Sequence, residues 1–169
     1  MIVYMTHPAE GPTWTHNSYN RELTTVDKFT HNSGQMAEII KPSVQAFLVC
    51  DNVIADAATG KKTIVGAFTT VRATSFPCVL NQLALYFCLT DGEGKYQFVI
   101  ELVYLNENKT IGRAPLNEVL EFKDRLEIVD AGVTLPPTMF PGPGRYEFRL
   151  LADEHFIASK DFNAILQTV

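Results

Sequence analysis

The amino-acid sequence predicts an all-β protein built as an antiparallel sandwich or barrel. Short apolar runs alternate with turn-forming residues from Val44 to the C-terminus. No stretch carries the long 3.6-residue periodicity of a helix. About seven or eight strands follow one another at a spacing of roughly 10–15 residues, which is typical of this architecture.

The clearest strands form a hairpin near the C-terminus. The segment RYEFRLL (145–151) alternates large apolar with charged side chains, as a half-buried antiparallel strand does. The Pro-Gly-Pro-Gly run before it (141–144) is expected to stop the preceding strand and reverse the chain. Asp153 and Glu154 predict a tight turn, after which HFIASKDF (155–162) returns as the second strand.

The middle of the chain shows the same organisation. TIVGAFTTVRA (63–73) is rich in β-branched and aromatic residues, and LALYFCL (83–89) predicts a strand buried on both faces. TDGEGK (90–95) predicts a tight hairpin, because Asp-Gly readily adopts the positive φ angles that such a turn requires. The next strand, KYQFVIELVYL (95–105), places its aromatic and large aliphatic side chains on one face.

Two later stretches are less regular. PLNEVLEFKDRLEIVDAG (115–132) shows no clean alternation. A strand running into a loop is favoured there, and a short helical turn is the alternative. AGVTLPPTMF (131–140) is a strand that carries Pro136 and Pro137. Because proline has no N–H to donate to a ladder, this strand must lie at an edge or be interrupted at that point.

The N-terminal part of the chain differs from the rest. Residues 1–35 hold three of the four histidines and the single tryptophan, in a context rich in Ser, Thr and Asn. We expect a flexible extension there and a β-sandwich domain over residues 36–169. Met36 opens a stretch that looks like a natural start of a compact domain, so residues 1–35 could also lie upstream of the true start.

Composition narrows the class of partner. The formal net charge is −5 and the isoelectric point about 5.3. This balance argues against a nucleic-acid partner and against electrostatic docking to anionic membranes. No apolar run approaches the roughly 20 residues of a membrane-spanning helix, and the N-terminus lacks the features of a secretory signal. Three cysteines fit buried free thiols in a reducing compartment, so we expect a cytoplasmic protein.

Several short motifs resemble those of a bacterial family of uncharacterised small proteins. They are a Cys-Asp pair (50–51), a T-G-K turn (59–61), a V-G-A-F strand (65–68), a Phe-Pro crossing (76–77), an L-T-D-G turn (89–92) and a P-G-x-Y strand (143–146). The resemblance covers about residues 44–162. It implies an immunoglobulin-like β-sandwich and brings no assigned activity, so no catalytic or binding residue is carried over.

Patterns that carry chemistry are weak. The cysteines Cys50, Cys78 and Cys88 are not spaced as zinc ligands, and no G-x-S-x-G elbow is present. Cys50 and Cys88 sit in apolar runs, where a thiolate is disfavoured. No glycine-rich loop opens a helix, as a phosphate site requires. We therefore expect no enzymatic activity, no catalytic residue, no metal and no cofactor.

The expected function is a non-catalytic protein-interaction or scaffold module. Antiparallel sandwiches leave edge strands that suit strand addition or self-association, and residues 133–140 and 156–162 are the edge candidates. The possible partner-binding residues are Trp14, Val133, Leu135, Phe156 and Ile157.

The alternative is a ligand-binding module for Ca²⁺ or a carbohydrate that uses acidic turns. The acidic residues in or near turns are Asp51, Asp56, Asp91, Glu93, Asp130, Asp153 and Glu154. Carboxylates are good Ca²⁺ ligands, but they also occur in turns for backbone reasons.

Overall fold

The computed structural model describes residues 40–167, and all its regular elements in that range are strands. In chain order they are β1 (Ser43–Cys50), β2 (Asn52–Ala55), β3 (Lys62–Val65), β4 (Thr70–Ala73), β5 (Cys78–Leu80), β6 (Ala84–Thr90), β7 (Gly94–Tyr104), β8 (Lys109–Phe122), β9 (Val129–Thr134), β10 (Thr138–Phe140), β11 (Gly144–Ala152) and β12 (His155–Leu166). The all-β prediction is confirmed.

Two main sheets make the sandwich. One has three strands in the order β1-β6-β9, and the other has five in the order β4-β12-β11-β7-β8. Every pairing in them is antiparallel except that of β12 with β4. In immunoglobulin terms the first sheet is A-B-E and the second is A′-G-F-C-C′, so the predicted immunoglobulin-like fold is confirmed.

The core lies between the two sheets and is built from alternate residues of each strand. Its largest fully buried side chains are Tyr146, Phe87, Phe98, Phe122, Phe140, Phe148, Phe162, Leu83, Leu85, Leu89, Ile100 and Leu102. Aromatic rings bridge the sheets, as where Phe87 of β6 stacks on Phe98 of β7 with centroids 6.2 Å apart. Such ring pairs add to the stabilisation that burial alone provides.

A tyrosine corner fixes the start of β11. The Tyr146 hydroxyl donates to the Gly142 carbonyl at 2.6 Å and accepts the Gly142 N–H at 3.3 Å. Its ring is fully buried and stacks on Tyr104 at 4.7 Å. This is the corner that immunoglobulin-like domains place where strand F begins. The P-G-x-Y motif at 143–146 therefore has a structural role in this fold.

Two predicted chain reversals are crossings between the sheets. The segment 90–95 joins β6 to β7, which lie in different sheets, so the predicted hairpin there is wrong. Its turn chemistry is present, since Asp91 and Gly94 have φ of 58° and 84°. The Pro-Gly-Pro-Gly run likewise leads from β10, which pairs with β5, into the five-stranded sheet. Both segments turn as predicted, and both lead the chain into the five-stranded sheet.

The two less regular stretches, 115–132 and 131–140, adopt the structures that the sequence favoured. The β8 strand ends at Phe122, a loop follows, and β9 begins at Val129, which confirms a strand running into a loop. The prolines at 136–137 interrupt the next strand between β9 and β10. The hairpin predicted at the C-terminus is confirmed as β11 paired with β12.

An added hairpin covers the outer face of the three-stranded sheet. The strands β2 and β3 lie between β1 and β4 in the chain and pair with each other. Val53 of the hairpin fills the space above Gly132 of β9, where an added Cβ would lie 2.6 Å from Val53 Cγ1. Residues 83–89 were predicted to be buried on both faces. The prediction is confirmed for the core face, whereas Tyr86 and Cys88 on the outer face are half-buried.

Candidate protein-interaction surface

The outer face of the five-stranded sheet carries a row of apolar side chains. Phe156 of β12 pairs with Leu151 of β11, Leu151 pairs with Val99 of β7, and Val99 pairs with Pro115 of β8. Side chains alternate between faces along a strand, and the neighbours of these residues point into the core. The four residues Pro115, Val99, Leu151 and Phe156 therefore form one continuous line across the sheet, the apolar strip.

Of the two exposed ends of the apolar strip, Pro115 and Phe156, the larger side chain is Phe156. Its side chain is 55% exposed, whereas Val99 in the middle of the strip is 3% exposed. An aromatic ring that is open to solvent on a flat sheet face offers a large contact area at little entropic cost, because it has few rotatable bonds. Val119 of β8 adds a further 45%-exposed apolar side chain to the same face.

The turn before β12 holds Phe156 in place. Asp153 and Glu154 adopt φ angles of 48° and 66°, which close the tight turn between β11 and β12. The Asp153 carboxylate accepts the Gln97 N–H at 2.9 Å, and the Asp153 N–H donates to the Gln97 carbonyl at 2.9 Å. A β-bulge between Leu150 and Leu151 then brings Phe156 opposite Leu151. The exposed ring is therefore positioned by the rigid sheet.

Ion pairs cover the part of the outer face next to the apolar strip. Arg113 donates to Glu101 at 3.2 Å and also pairs with Glu154. On the neighbouring strands Arg149 pairs with Glu147, and Arg145 donates from Nε to Asp161 at 2.7 Å. An apolar centre with a paired polar surround is the usual anatomy of a protein interface, and arginine is enriched in such interfaces.

These ion pairs shift the pKa values of their members. Hydrogen bonds from Arg145 lower the pKa of Asp161. For Arg113, burial acts to lower the pKa, but the hydrogen bonds and charges of Glu154 and Glu101 outweigh it and raise the pKa. Each shift favours the charged form, so the Asp161 carboxylate and the Arg113 guanidinium are both charged at neutral pH.

The predicted partner-binding residues fall in different places. Phe156 is exposed, and Ile157 is half-buried against the core. The side chains of Val133 and Leu135 are 7% and 3% exposed and pack in the core, so a partner could reach only the backbone there, and partner binding at these residues stays a prediction. Val133 lies on β9, which is the edge strand of its sheet, and Leu135 directly follows the end of that strand, so the edge exposes backbone and not these side chains. Trp14 lies outside the described residues and stays a prediction.

Sequence reasoning missed most of the apolar strip. Leu151, Val99 and Pro115 belong to three different strands, and only the pairing register brings them into one row. The partly apolar outer side of 95–105 was the one available hint, since Val99 and Val103 interrupt its polar positions.

Several carboxylates of the acidic turns bond to nearby backbone or to an arginine. Asp56 accepts the N–H groups of Ala58 and Thr59 at 2.9 and 2.7 Å, and Asp153 accepts that of Gln97. Within residues 40–167 no group of three or more His, Cys, Asp or Glu side chains is placed to hold a metal ion. The Ca²⁺ or carbohydrate alternative stays a prediction.

The cysteines show no feature of an activated nucleophile. Burial raises the pKa of the Cys50, Cys78 and Cys88 thiols, and the negative charges of Asp51 and Asp130 add to the effect at Cys50 and Cys88. A raised pKa leaves less thiolate at neutral pH, which is the reactive form. In the part of the chain that the structure describes, no helix is long and apolar enough to span a membrane.

The fold and the surface together define a small immunoglobulin-like β-sandwich module. The chain belongs to DUF6941, a family of unknown function whose model matches residues 45–165, and this confirms the resemblance inferred from the motifs.

Two solved structures are similar to this chain at low identity. One is the alkylpurine DNA glycosylase AlkC of Pseudomonas fluorescens bound to DNA containing an abasic site analog, with 10% identity and a TM-score of 0.43 over 74% of this chain and 30% of that chain. The other is an immunoglobulin-like protein from Pseudomonas aeruginosa, with 9% identity and a TM-score of 0.36 over 76% of this chain and 100% of that chain. No curated protein matches the sequence.

Proposed function

We propose that this protein is a non-catalytic interaction module that binds a protein partner through the outer face of its five-stranded sheet. Phe156, at an exposed end of the apolar strip, is the centre of the contact, and the arginine–carboxylate pairs beside the strip form the polar part. The partner is another protein or a second copy of the chain. The acidic net charge of −5 supports a protein partner over nucleic acid or an anionic membrane.

The observation that carries the proposal is the exposed ring of Phe156. A phenylalanine that is 55% exposed on a rigid strand loses water from its free face only when another molecule covers it. Interfaces concentrate their binding free energy in a few such aromatic or arginine residues near the centre of the contact. Here the ring adjoins Leu151 on one side and the ion pairs of Arg113 and Arg149 lie nearby.

Affinity capture from a native lysate tests the proposal with three forms of the full chain. These are the wild type, Phe156→Ser and Met139→Ser. Met139 is a matched control, because it is 56% exposed but lies on β10, outside the five-stranded sheet. We expect the wild type and Met139→Ser to retain the same partner and Phe156→Ser to lose it at least tenfold.

Sedimentation velocity of the same three proteins tests the second-copy outcome. A dimer that persists in Met139→Ser and dissociates in Phe156→Ser would identify a second copy of the chain as the partner. Equal capture and equal sedimentation by all three forms would contradict the proposed surface.

The proposal also includes the cellular compartment and the absence of catalysis. We place the protein in the cytoplasm, because its three cysteines are unpaired thiols in the described residues. We also assign it no catalytic step and no cofactor, and a broad hydrolase panel that detects turnover would contradict that assignment.

A further inference from the structure

A lysine lies buried beneath the added hairpin. Lys62 pairs with Ala55 in the β2–β3 ladder, and its side chain is only 3% exposed. Its Nζ lies 2.7 Å from Oδ2 of Asp130 on β9. Among residues 40–167, however, Nζ finds no hydrogen-bond partner, so the amine nitrogen contacts the carboxylate outside hydrogen-bonding geometry. A buried ammonium with a single contact of this kind is costly, because it has lost its water without gaining acceptors.

The surroundings hold the two groups together. The base of the hairpin is tied by the Asp51 N–H, which donates to the carbonyls of Val65 and Gly66 at 3.1 and 3.3 Å. Val53 fills the space over Gly132, two residues along β9 from Asp130. In the folded domain these contacts hold Lys62 beside Asp130. Groups fixed in this way react with effective molarities on the order of 10⁵–10⁸ M in favourable cases.

A third polar group completes the cluster. The Tyr86 hydroxyl on β6 donates to Oδ2 of Asp130 at 3.5 Å. Burial raises the pKa of Tyr86, and the negative charge of Asp130 adds to the effect, so the phenol keeps its proton. Tyr86 is therefore a proton donor beside the carboxylate. Cys88, on the same strand, is close enough for the charges of Asp130 and Lys62 to act on its thiol.

We propose that Lys62 and Asp130 form an intramolecular isopeptide bond that fastens the hairpin to β9. Proton transfer within the pair converts the ammonium and carboxylate to an amine and a carboxylic acid. The amine nitrogen then attacks Cγ, the new C–N bond forms, and the C–OH bond breaks. The hydroxyl leaves with an amine proton as one water molecule, so the reaction needs no oxidant or cofactor. The Tyr86 hydroxyl hydrogen-bonds to the carboxyl oxygen as charge develops on it.

The isopeptide bond would account for the burial of the Lys62 amine, which the ion pair alone does not explain. An amide between the two side chains carries no charge, so the buried ammonium without acceptors disappears. The bond also joins residues far apart in the chain, which stabilises the fold as a cross-link does, by restricting the unfolded state.

Intact-mass spectrometry of the denatured full chain tests the proposal. The wild type is expected to be lighter than its sequence mass by one water, and Lys62→Met is expected to show its full sequence mass. Met is an apolar side chain of similar length, so this variant keeps the hairpin packed. Asp130→Asn is expected to lose ammonia instead of water, because the same attack on an amide expels ammonia. Tyr86→Phe is expected to be incompletely converted.

Peptide mapping distinguishes this bond from other dehydration. An Asp-Gly step such as Asp91-Gly92 can lose one water as a cyclic imide, but that loss would persist in Lys62→Met. The proposal requires a branched tryptic peptide in which the Lys62 and Asp130 segments are joined. Wild-type protein at its full sequence mass, or a water loss that survives in Lys62→Met, would overturn it.

Discussion

Replacing Tyr146 with phenylalanine measures how much the tyrosine corner contributes to stability. The substitution keeps the buried ring and its stacking on Tyr104, and removes only the hydroxyl. The hydroxyl makes two hydrogen bonds to Gly142, at 2.6 and 3.3 Å. Burial raises the pKa of Tyr146, so the hydroxyl is a proton donor throughout the neutral range. The Gly142 carbonyl loses a short bond in a half-buried position, which corresponds to about 1–3 kcal/mol.

The assay is urea unfolding monitored by circular dichroism, a signal that does not depend on tryptophan. We expect the free energy of unfolding to fall by about 1–3 kcal/mol with an unchanged m-value, because the core surface buried is the same. Tyr104→Phe is the matched control, since its hydroxyl makes one bond, to the Pro143 carbonyl at 3.0 Å, and about 0.5–1.5 kcal/mol is expected. A Tyr146→Phe loss smaller than that of the control would refute this reasoning.

Three further predictions concern packing, charge and the exposed ring. Gly132→Ala is expected to destabilise the fold by about 1–3 kcal/mol in urea unfolding, because the new Cβ meets Val53, and Val53→Ala should restore most of the loss. The hydrogen bonds from Arg145 lower the pKa of Asp161 in the folded state. The pair therefore stabilises the fold fully above the unfolded-state pKa of about 3.9, and this stabilisation is lost as the pH falls through the lower pKa of the folded state. Asp161 is 43% exposed, so Asp161→Asn should cost at most about 1 kcal/mol at pH 7 and nothing in strong acid, as pH-dependent urea unfolding would show. Phe156→Ser should change stability by about 1 kcal/mol or less in thermal unfolding, because more than half of its side chain is exposed, and a large loss would mean that the ring is structural.

The local features of the fold were readable from the sequence. The alternation in 145–151 predicts the strand β11, its burial face and the turn after it, because a period of two specifies a half-buried strand without reference to distant residues. The prolines at 136–137 predict an interrupted strand for an equally local reason. The strand order was not readable in this way. The Asp-Gly chemistry at 91–92 serves a hairpin and an inter-sheet turn equally, and only the distant partners of β6 and β7 decide between them.

The candidate surface shows the same limit. Phe156 was chosen as part of a candidate edge strand, and the structure shows its side chain exposed. Val133 and Leu135 were chosen for the same reason, but an edge is a property of the backbone, and these side chains are buried in the core. The contact of Lys62 with Asp130 joins two segments far apart in the sequence, so no local pattern could reveal it.

Hydroxyl-radical footprinting of the full chain, free and in complex with its captured partner, tests the interaction surface most directly. Phe156 and Met139 are both exposed, so we expect both to react in the free protein, and each reports on its own sheet. We predict that the partner protects Phe156 and leaves Met139 as reactive as before. Protection of Met139 with no change at Phe156 would contradict the proposed surface and move the contact away from the five-stranded sheet.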